Sequence, residues 1–164
     1  MAIPLLAIGP APLAAERLVA ALSADEPERR GIEGAVVTFL GLVRNHNAGR
    51  RVLYLEYEAY EPLALKSFER IAEEIHSRWP SVHMALHHRT GRLDIGEASI
   101  VIVTASAHRA DAFAAGRYAI ERVKQIAPIW KREHFEGGEV WIEGAIADPD
   151  DEMARMAAER AACA

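Results

Sequence analysis

Two amphipathic segments that each end at a proline constrain the fold of this 164-residue chain more strongly than any other feature. Residues 61–79 repeat apolar side chains mostly every three or four positions, and Pro80 follows them directly. Residues 109–126 show the same spacing, with Pro128 two positions beyond them. This periodicity predicts two helices that each bury one face, because proline lacks a backbone donor and blocks helix continuation.

Strand-like segments surround these two helices. Four segments are rich in β-branched residues or alternate apolar with polar side chains, which predicts strands at residues 34–43, 51–60, 82–89 and 98–105. The first two of these strands can form a hairpin. A further helix is predicted at about residues 12–22, and a terminal hairpin joins residues 129–135 to 139–144. Because short turns join most neighbouring strands, the predicted fold is an α+β domain with an antiparallel or mixed sheet and flanking helices.

The basic residues of this acidic chain gather at a few places. A total of 24 Asp and Glu against 19 Lys and Arg gives a net charge of -5, which argues against a broad cationic face for nucleic acid. Cations that recur at the ends of elements predict instead a site for a small anion. They are Arg44, His108, Arg109, Lys124, Lys131 and Arg132, in the segments VRNHN, SAHRA, RVKQIAP and IWKRE.

The first three of these cations have both a functional and a simpler interpretation. Arg44 opens a loop that can donate several hydrogen bonds to a phosphate or carboxylate, or it belongs to an ordinary polar hairpin loop. The His108-Arg109 pair stands at the predicted start of a helix, whose free N–H groups attract anions. The alternative there is capping by Ser106 with a solvated histidine and arginine.

The two lysines lie on opposite sides of the break at Pro128. A turn at this break can bring the ammonium groups of Lys124 and Lys131 toward one pocket, where desolvation would lower a lysine pKa and suit it for proton transfer. The alternative is a helix-end lysine that complements the helix dipole and a strand lysine that faces water. Spacing alone does not decide between these two interpretations.

The sequence carries no motif for a metal or a nucleotide cofactor, so we predict neither. Cys163 is the only cysteine, which excludes a disulfide framework or a cysteine zinc site within one chain. The histidines around residue 87 lack a Cys or Glu that would complete a metal-ligand pattern. Walker, GxGxxG and GxSxG motifs are absent. The lone cysteine, the lack of a basic signal-peptide start and the lack of ~20 consecutive apolar residues predict a cytoplasmic protein.

Three separated segments together resemble one known family. GAVVTFLGLVRNHN, HRTGRLDIGEASIVIVTASAHRADAF and APIWKRE are similar to the large, catalytic subunit of molybdopterin synthase, over about residues 8–143. The resemblance implies an α/β-hammerhead fold in residues 1–146, followed by an Ala- and acid-rich tail at residues 147–164. It also implies a homodimer within a heterotetramer, each large subunit binding a small ubiquitin-like sulfur carrier with a thiocarboxylated Gly-Gly C-terminus. The implied reaction is sulfur transfer to cyclic pyranopterin monophosphate, which forms the dithiolene of molybdopterin.

The resemblance also implies roles for individual residues. Lys124 and Lys131 match the catalytic lysines of the family, and Leu42 stands where the family often has a lysine, so only a backbone contact is expected there. The residues that match substrate-binding positions or their segments are Leu42, Val43, Arg44, His108, Arg109, Lys124, Lys131, Arg132 and Glu133. Two other classes stay open at this point: a noncatalytic anion-binding module, and a small phosphatase that lacks a recognisable nucleophile or metal set.

Overall fold

The computed structural model describes residues 3–24, 31–142, 144–145 and 147–164. The strands of this part of the chain are β1 (Leu6–Gly9), β2 (Ala35–Leu42), β3 (His46–Asn47), β4 (Arg50–Ala59), β5 (His83–Arg89), β6 (Gly91–Asp94), β7 (Ala98–Ser106), β8 (Ile129–Phe135) and β9 (Gly138–Ile142). The helices are α1 (Ala15–Ala24), α2 (Glu61–Arg78), α3 (Arg109–Ile126) and α4 (Glu152–Ala162). The predicted α+β class is confirmed, as are the two long helices that end before prolines. None of the described helices has the length and apolar character that a membrane span needs.

The first sheet has the order β1-β5-β7-β2, with β1 parallel to β5 and the other pairs antiparallel. Side chains alternate between its two faces, as the period of two in a strand requires. On one face, Leu86 and Ile102 pack with residues of α2 and α3, such as Phe68. On the other face, Val101 and Val103 pack against α1. Helices therefore cover both faces, and β7 is buried along nearly its whole length.

The second sheet has the order β3-β4-β8-β9, and β6 pairs with β4 outside this path. A small core of Val43, Val52, Leu55 and Leu93 lies on one face of it. The expected hairpin between β2 and β4 is wrong, because β2 pairs with β7 in the first sheet while β4 pairs with β8. The apolar patterns of β2 and β4 predict strands but contain no information about the partner of each strand.

The chain between β2 and β4 folds back on itself locally. Asn47 and Arg50 are joined by Ala48 and Gly49, whose φ angles are +47° and +77°. Two consecutive positive φ angles are typical of the type I′ turn that closes a two-residue hairpin loop. This turn carries the chain into β4 and leaves Arg44 at the entry to the hairpin.

The tail at residues 147–164 contains a helix that packs on α3. Asp151 caps α4 by accepting hydrogen bonds from the backbone N–H groups of Met153 and Ala154, at 2.9 and 3.2 Å. Beneath this region Arg122, whose side chain is 0% exposed, donates two 2.8 Å hydrogen bonds to the carboxylate of Glu74. Arg122 also donates to the carbonyl of Pro149 at 3.2 Å. We call Arg122, Glu74 and Pro149 the C-terminal clamp, because they tie α2 and α3 to the chain that leads into α4.

Candidate active site

A pocket of about 560 Å³ lies where the two sheets meet the end of α3. Its polar lining residues come from both sheets, from the helix end and from the chain before β3. They are Arg44, Tyr57, His88, Ser99, Lys124 and Lys131. The rest of the described lining is apolar or glycine, including Leu42, Ile100, Ile120, Val123, Ile129 and Ile142. The pocket thus combines an apolar wall with three cationic side chains.

The break at Pro128 places both predicted catalytic lysines on this pocket. Lys124 lies in the last turn of α3, and Lys131 is the third residue of β8. The register of the second sheet sets Lys131 opposite Tyr57 on β4 and opposite Ile142 on β9. Residues opposite one another across strands share a face, so these three side chains form one row on the pocket wall.

Burial and neighbouring charge change the acidity of one lysine. Partial burial lowers the pKa of Lys131, and the positive charges of Arg44 and Lys124 lower it further. Glu133 opposes this effect by favouring the charged ammonium group. A lysine whose pKa is lowered reaches its neutral form at lower pH, so Lys131 is better suited to proton transfer than an exposed lysine.

The neighbours of Lys131 on β8 lie outside the pocket. Arg132 points to the opposite face of the sheet, where it pairs with Glu56 at 2.9 Å and lies over the ring of Trp141 at 5.2 Å. Glu133 shares the face of Lys131 but is only 2% exposed. Neither residue lines the pocket in this chain, so a direct contact of either with substrate stays a prediction.

Glu133 instead joins the β3–β4 hairpin to β8. Its carboxylate accepts hydrogen bonds from Asn47 at 2.8 Å and from two nitrogens of Arg50 at 3.2 Å. These charge-assisted bonds fix the hairpin that follows Arg44 against the strand that carries Lys131. The position of Arg44 relative to Lys131 therefore depends on Glu133, although the Glu133 carboxylate is itself buried.

The segment before the hairpin contributes two of the predicted residues. Leu42 and Arg44 line the pocket, with the Leu42 side chain largely exposed. Val43 lies between them but is buried in the small core of the second sheet. Its backbone N–H donates to the carbonyl of Glu97, and its carbonyl accepts from Gly96 N–H, both at 2.9 Å. The backbone N–H of Val43 is thus already used within the fold.

His108 and Arg109 lie elsewhere in the single chain. His108 is the N-cap residue of α3, and Arg109 is the first residue of that helix. Both are exposed, and neither lines the pocket. Ser106 does not take the predicted cap position: it is the last residue of β7, and its hydroxyl bonds to that of Ser81 at 3.3 Å and accepts a long 3.5 Å bond from His108 N–H. A contact of His108 or Arg109 with substrate therefore needs either a second copy of the chain or a ligand that extends out of the pocket.

Three polar lining residues were missed by sequence reasoning: Tyr57, His88 and Ser99. His88 is in phase with the buried residues Met84 and Leu86 of β5, and this alternation is the signal that predicts its inward orientation. Ser99 had no such signal. It has no partner on β2, because Gly41 lies opposite Ile100 and Leu42 lies opposite Ala98. This β-bulge turns both Ser99 and Ile100 toward the pocket.

Comparison with known proteins gives a consistent set of matches. The family model described as "MoaE protein" matches residues 8–126. A protein named molybdopterin synthase catalytic subunit from Halalkalibacterium halodurans is 51% identical over 109 residues, covering 66% of this chain and 70% of the relative. The subunit of the same name from Bacillus subtilis is 52% identical over 109 residues, covering 66% of this chain and 69% of the relative.

Solved structures agree with these sequence matches. The crystal structure of molybdopterin synthase from Staphylococcus aureus superposes with a TM-score of 0.80 at 38% identity, covering 86% of this chain and 98% of that chain. The molybdopterin biosynthesis MoaE protein from Burkholderia ambifaria superposes with a TM-score of 0.73 at 34% identity, covering 93% of this chain and 97% of that chain. The family model thus covers the chain from within β1 to the end of α3, and both solved structures superpose on most of the chain.

Proposed function

This chain belongs to the MoaE protein family, and we infer that it is the catalytic subunit of a molybdopterin synthase that acts in molybdenum cofactor biosynthesis. We propose that it works as a sulfurtransferase. Sulfur passes from the thiocarboxylated C-terminus of a small carrier subunit to cyclic pyranopterin monophosphate, in two successive additions that form the dithiolene. The proposed assembly is a homodimer of this chain with one carrier on each copy, in a cytoplasmic setting.

The observation that carries this proposal is the gathering of Arg44, Lys124 and Lys131 in one pocket that no cysteine lines. The substrate has a cyclic phosphate and the carrier brings an anionic C-terminus, so three cations lower the cost of placing both anions together. A thiocarboxylate supplies its own sulfur. The single cysteine, Cys163, is exposed near the end of the chain and is not needed as a nucleophile.

The two lysines differ in their surroundings, which suggests different roles. Lys131 has a lowered pKa, so it is the better candidate for proton transfer as sulfur adds. Lys124 is exposed and lies in the last turn of α3, where it can stabilise negative charge that develops on the substrate or the carrier. Arg44 presents a planar guanidinium suited to the phosphate. Leu42 contributes at most its backbone and its apolar side chain.

A single-turnover reaction tests this function. The purified protein is mixed with a thiocarboxylated Gly-Gly carrier and cyclic pyranopterin monophosphate, and dithiolene product is measured after oxidation to its fluorescent derivative. We expect product from the wild type and equal product from Cys163→Ser. Carrier binding without product would favour a noncatalytic binding module, and an inactive Cys163→Ser variant would contradict sulfur transfer directly from the carrier.

A further inference from the structure

One buried side chain in the pocket has no role in the function proposed above. His88 lies on β5 of the first sheet, is 7% exposed and lines the pocket. Its ring makes a T-shaped contact with the ring of Tyr57 on β4, with ring centroids 5.2 Å apart and planes at 69°. His88 therefore sits at the contact between the two sheets, beside the row that holds Lys131.

The hydrogen bonds of the ring define its tautomer. His88 Nδ1 lies 2.8 Å from the backbone carbonyl oxygen of Arg89. A carbonyl oxygen only accepts, so Nδ1 must carry the proton and donate it. In a neutral ring Nε2 then holds an unprotonated lone pair. Within the described part of the chain, no side chain or backbone group makes a hydrogen bond to this nitrogen.

Burial keeps the ring neutral. Desolvation lowers the pKa of His88 to about 4, and the hydrogen bond to the Arg89 carbonyl only partly opposes this. Tyr57 packs against the ring and Ser99 lines the same pocket; both are uncharged hydroxyls at neutral pH, and burial raises the pKa of Tyr57. No carboxylate among the described lining residues stabilises an imidazolium.

The other polar side chains of the pocket are rich in donors. Arg44, Lys124 and Lys131 donate hydrogen bonds in their charged forms and accept none. The proton of the Ser99 hydroxyl is directed to the carbonyl of Gly41 at 3.2 Å. The described lining contains no Asp, Glu, Asn or Gln side chain. While the lysines are charged, His88 Nε2 is thus the nitrogen acceptor among the described side chains that line the pocket, and the hydroxyl oxygens of Tyr57 and Ser99 are the other side-chain acceptors there.

We propose that His88 contacts the substrate directly, with Nε2 accepting a hydrogen bond from an N–H or O–H group on the heterocyclic part of the bound molecule. The identity of that molecule rests on the function proposed above. A neutral acceptor suits this pocket because a carboxylate in its place would pair with Lys131 and weaken the positive potential that binds the anion. His88 thereby supplies recognition of a neutral donor beside a site built for negative charge.

Nitrogen NMR on protein labelled with ¹⁵N in its histidine rings tests the proposal in the wild type, without carrier and without turnover. At pH 7 we expect His88 to show a protonated Nδ1 and an unprotonated Nε2, with its signals assigned by their loss in His88→Gln. Cyclic pyranopterin monophosphate should shift the Nε2 signal toward that of a hydrogen-bonded nitrogen. Sulfate, which offers negative charge but no donor, should leave it unchanged. A protonated Nε2 at pH 7, or one that the substrate does not shift, overturns the proposal.

Two substitutions separate recognition from a structural role. His88→Asn keeps a donor near the position of Nδ1 but removes the acceptor, whereas His88→Gln keeps a carboxamide oxygen near the position of Nε2. We expect His88→Asn to raise the Kd for the substrate roughly tenfold, as loss of one hydrogen bond implies. His88→Gln should restore most of that affinity. The opposite order would show that only the bond to the Arg89 carbonyl matters, and would overturn the proposal.

Turnover by the wild type separates this proposal from the proposed function. Normal dithiolene formation with an Nε2 signal that the substrate does not move would leave the synthase function standing and reject the role of His88. Substrate binding with the expected Nε2 shift but no product with any carrier would support the role of His88 and reject the synthase function. A wild-type protein that binds no substrate would reject both.

Discussion

Two buried or partly buried cations of this molecule have opposite electrostatic surroundings. Arg122 in the C-terminal clamp is 0% exposed, and the carboxylate of Glu74 and the carbonyl of Pro149 satisfy it. Lys131 in the pocket is partly buried beside Arg44 and Lys124, with the buried Glu133 as its opposing charge. Arg122 and Lys124 are two residues apart on α3, so one helix supplies both environments.

The difference indicates which buried charges serve the fold and which serve chemistry. A buried cation with a complete set of partners is costly to break, because removing it leaves the partner charge buried alone. A buried cation surrounded by like charges costs stability, and a protein retains it where a reaction needs it. Substitution of Lys131 should therefore lower activity and leave stability unchanged or higher. Substitution of Arg122 should lower stability and leave activity unchanged.

Replacing Lys131 by Met should have the largest effect on activity. Loss of a proton-transfer group lowers rates by about 10²- to 10⁴-fold, so single-turnover dithiolene formation should fall by that range. The free energy of unfolding of Lys131→Met should equal or exceed that of the wild type.

The lowered pKa of Lys131 also predicts a dependence of stability on pH. Between that pKa and 10.5 the unfolded chain binds more protons than the folded chain, so the stability of the wild type should rise with pH in this window relative to Lys131→Met. Full activity in Lys131→Met would end its catalytic assignment.

Replacing Arg122 by Met should have the reverse effect. It removes the bidentate partner of Glu74 and leaves that carboxylate only Arg70 and Tyr118, which should lower the free energy of unfolding by about 3 kcal/mol in urea titrations. Activity per folded molecule should be retained, since Arg122 does not line the pocket. The matched double variant Arg122→Met with Glu74→Leu should recover part of the stability, because it removes both charges. An Arg122→Met protein as stable as the wild type would show that the clamp contributes nothing measurable.

Acid should weaken the fold through His88. Its pKa of about 4 lies below the ordinary value of 6.5. Between pH 4 and 6.5 this histidine is therefore protonated in the unfolded chain and neutral in the folded chain. Stability should therefore fall as pH drops from 6.5 to about 4, by about 3 kcal/mol from this group. Urea titrations of the wild type and His88→Gln across this range isolate the contribution, which should be absent in the variant. Parallel curves would mean that His88 titrates normally.

The smallest effect is expected at the turn of the β3–β4 hairpin. Ala48 has a φ of +47°, a conformation that costs an L-residue with a Cβ about 1 kcal/mol. Asparagine tolerates this conformation better, so Ala48→Asn should raise the free energy of unfolding by up to about 1 kcal/mol. Thermal unfolding measures the change. Ala48→Val is the matched control and should be destabilised.

The sequence predicts the parts of this fold whose signals are local. The helices α2 and α3 follow from a repeat of three to four residues and a proline beyond each end. The four-residue strand β6 was missed because it is too short for alternation to be recognised. The partner of β2 was wrong because pairing depends on contacts with β7, more than fifty residues away. The C-terminal clamp was missed for the same reason, since Glu74, Arg122 and Pro149 meet only in the folded chain.

The candidate site shows the same limit. The resemblance and the break at Pro128 together indicated that Lys124 and Lys131 could share a pocket. Side chains alternate along a strand, so the sequence alone could have predicted that Arg132 faces away from Lys131. We instead treated the KRE segment as one unit and assigned both residues to the pocket. His88 was considered only as a metal ligand, and without other ligands it was set aside. Its role as an acceptor depends on the bond from Nδ1 to a carbonyl, which only the structure reveals.

The bulge at Ser99 has a consequence for how this pocket tolerates change. Strand faces normally alternate with each residue, and the extra residue lets two consecutive side chains, Ser99 and Ile100, line the pocket. Deletion of Ser99 would restore regular pairing with β2 and keep Ala98 and Ile100 on their present faces, because each stays opposite the same residue of β2. The pocket would then lose one polar group although every paired residue stayed in place, so at this position the number of residues carries as much information as their identity.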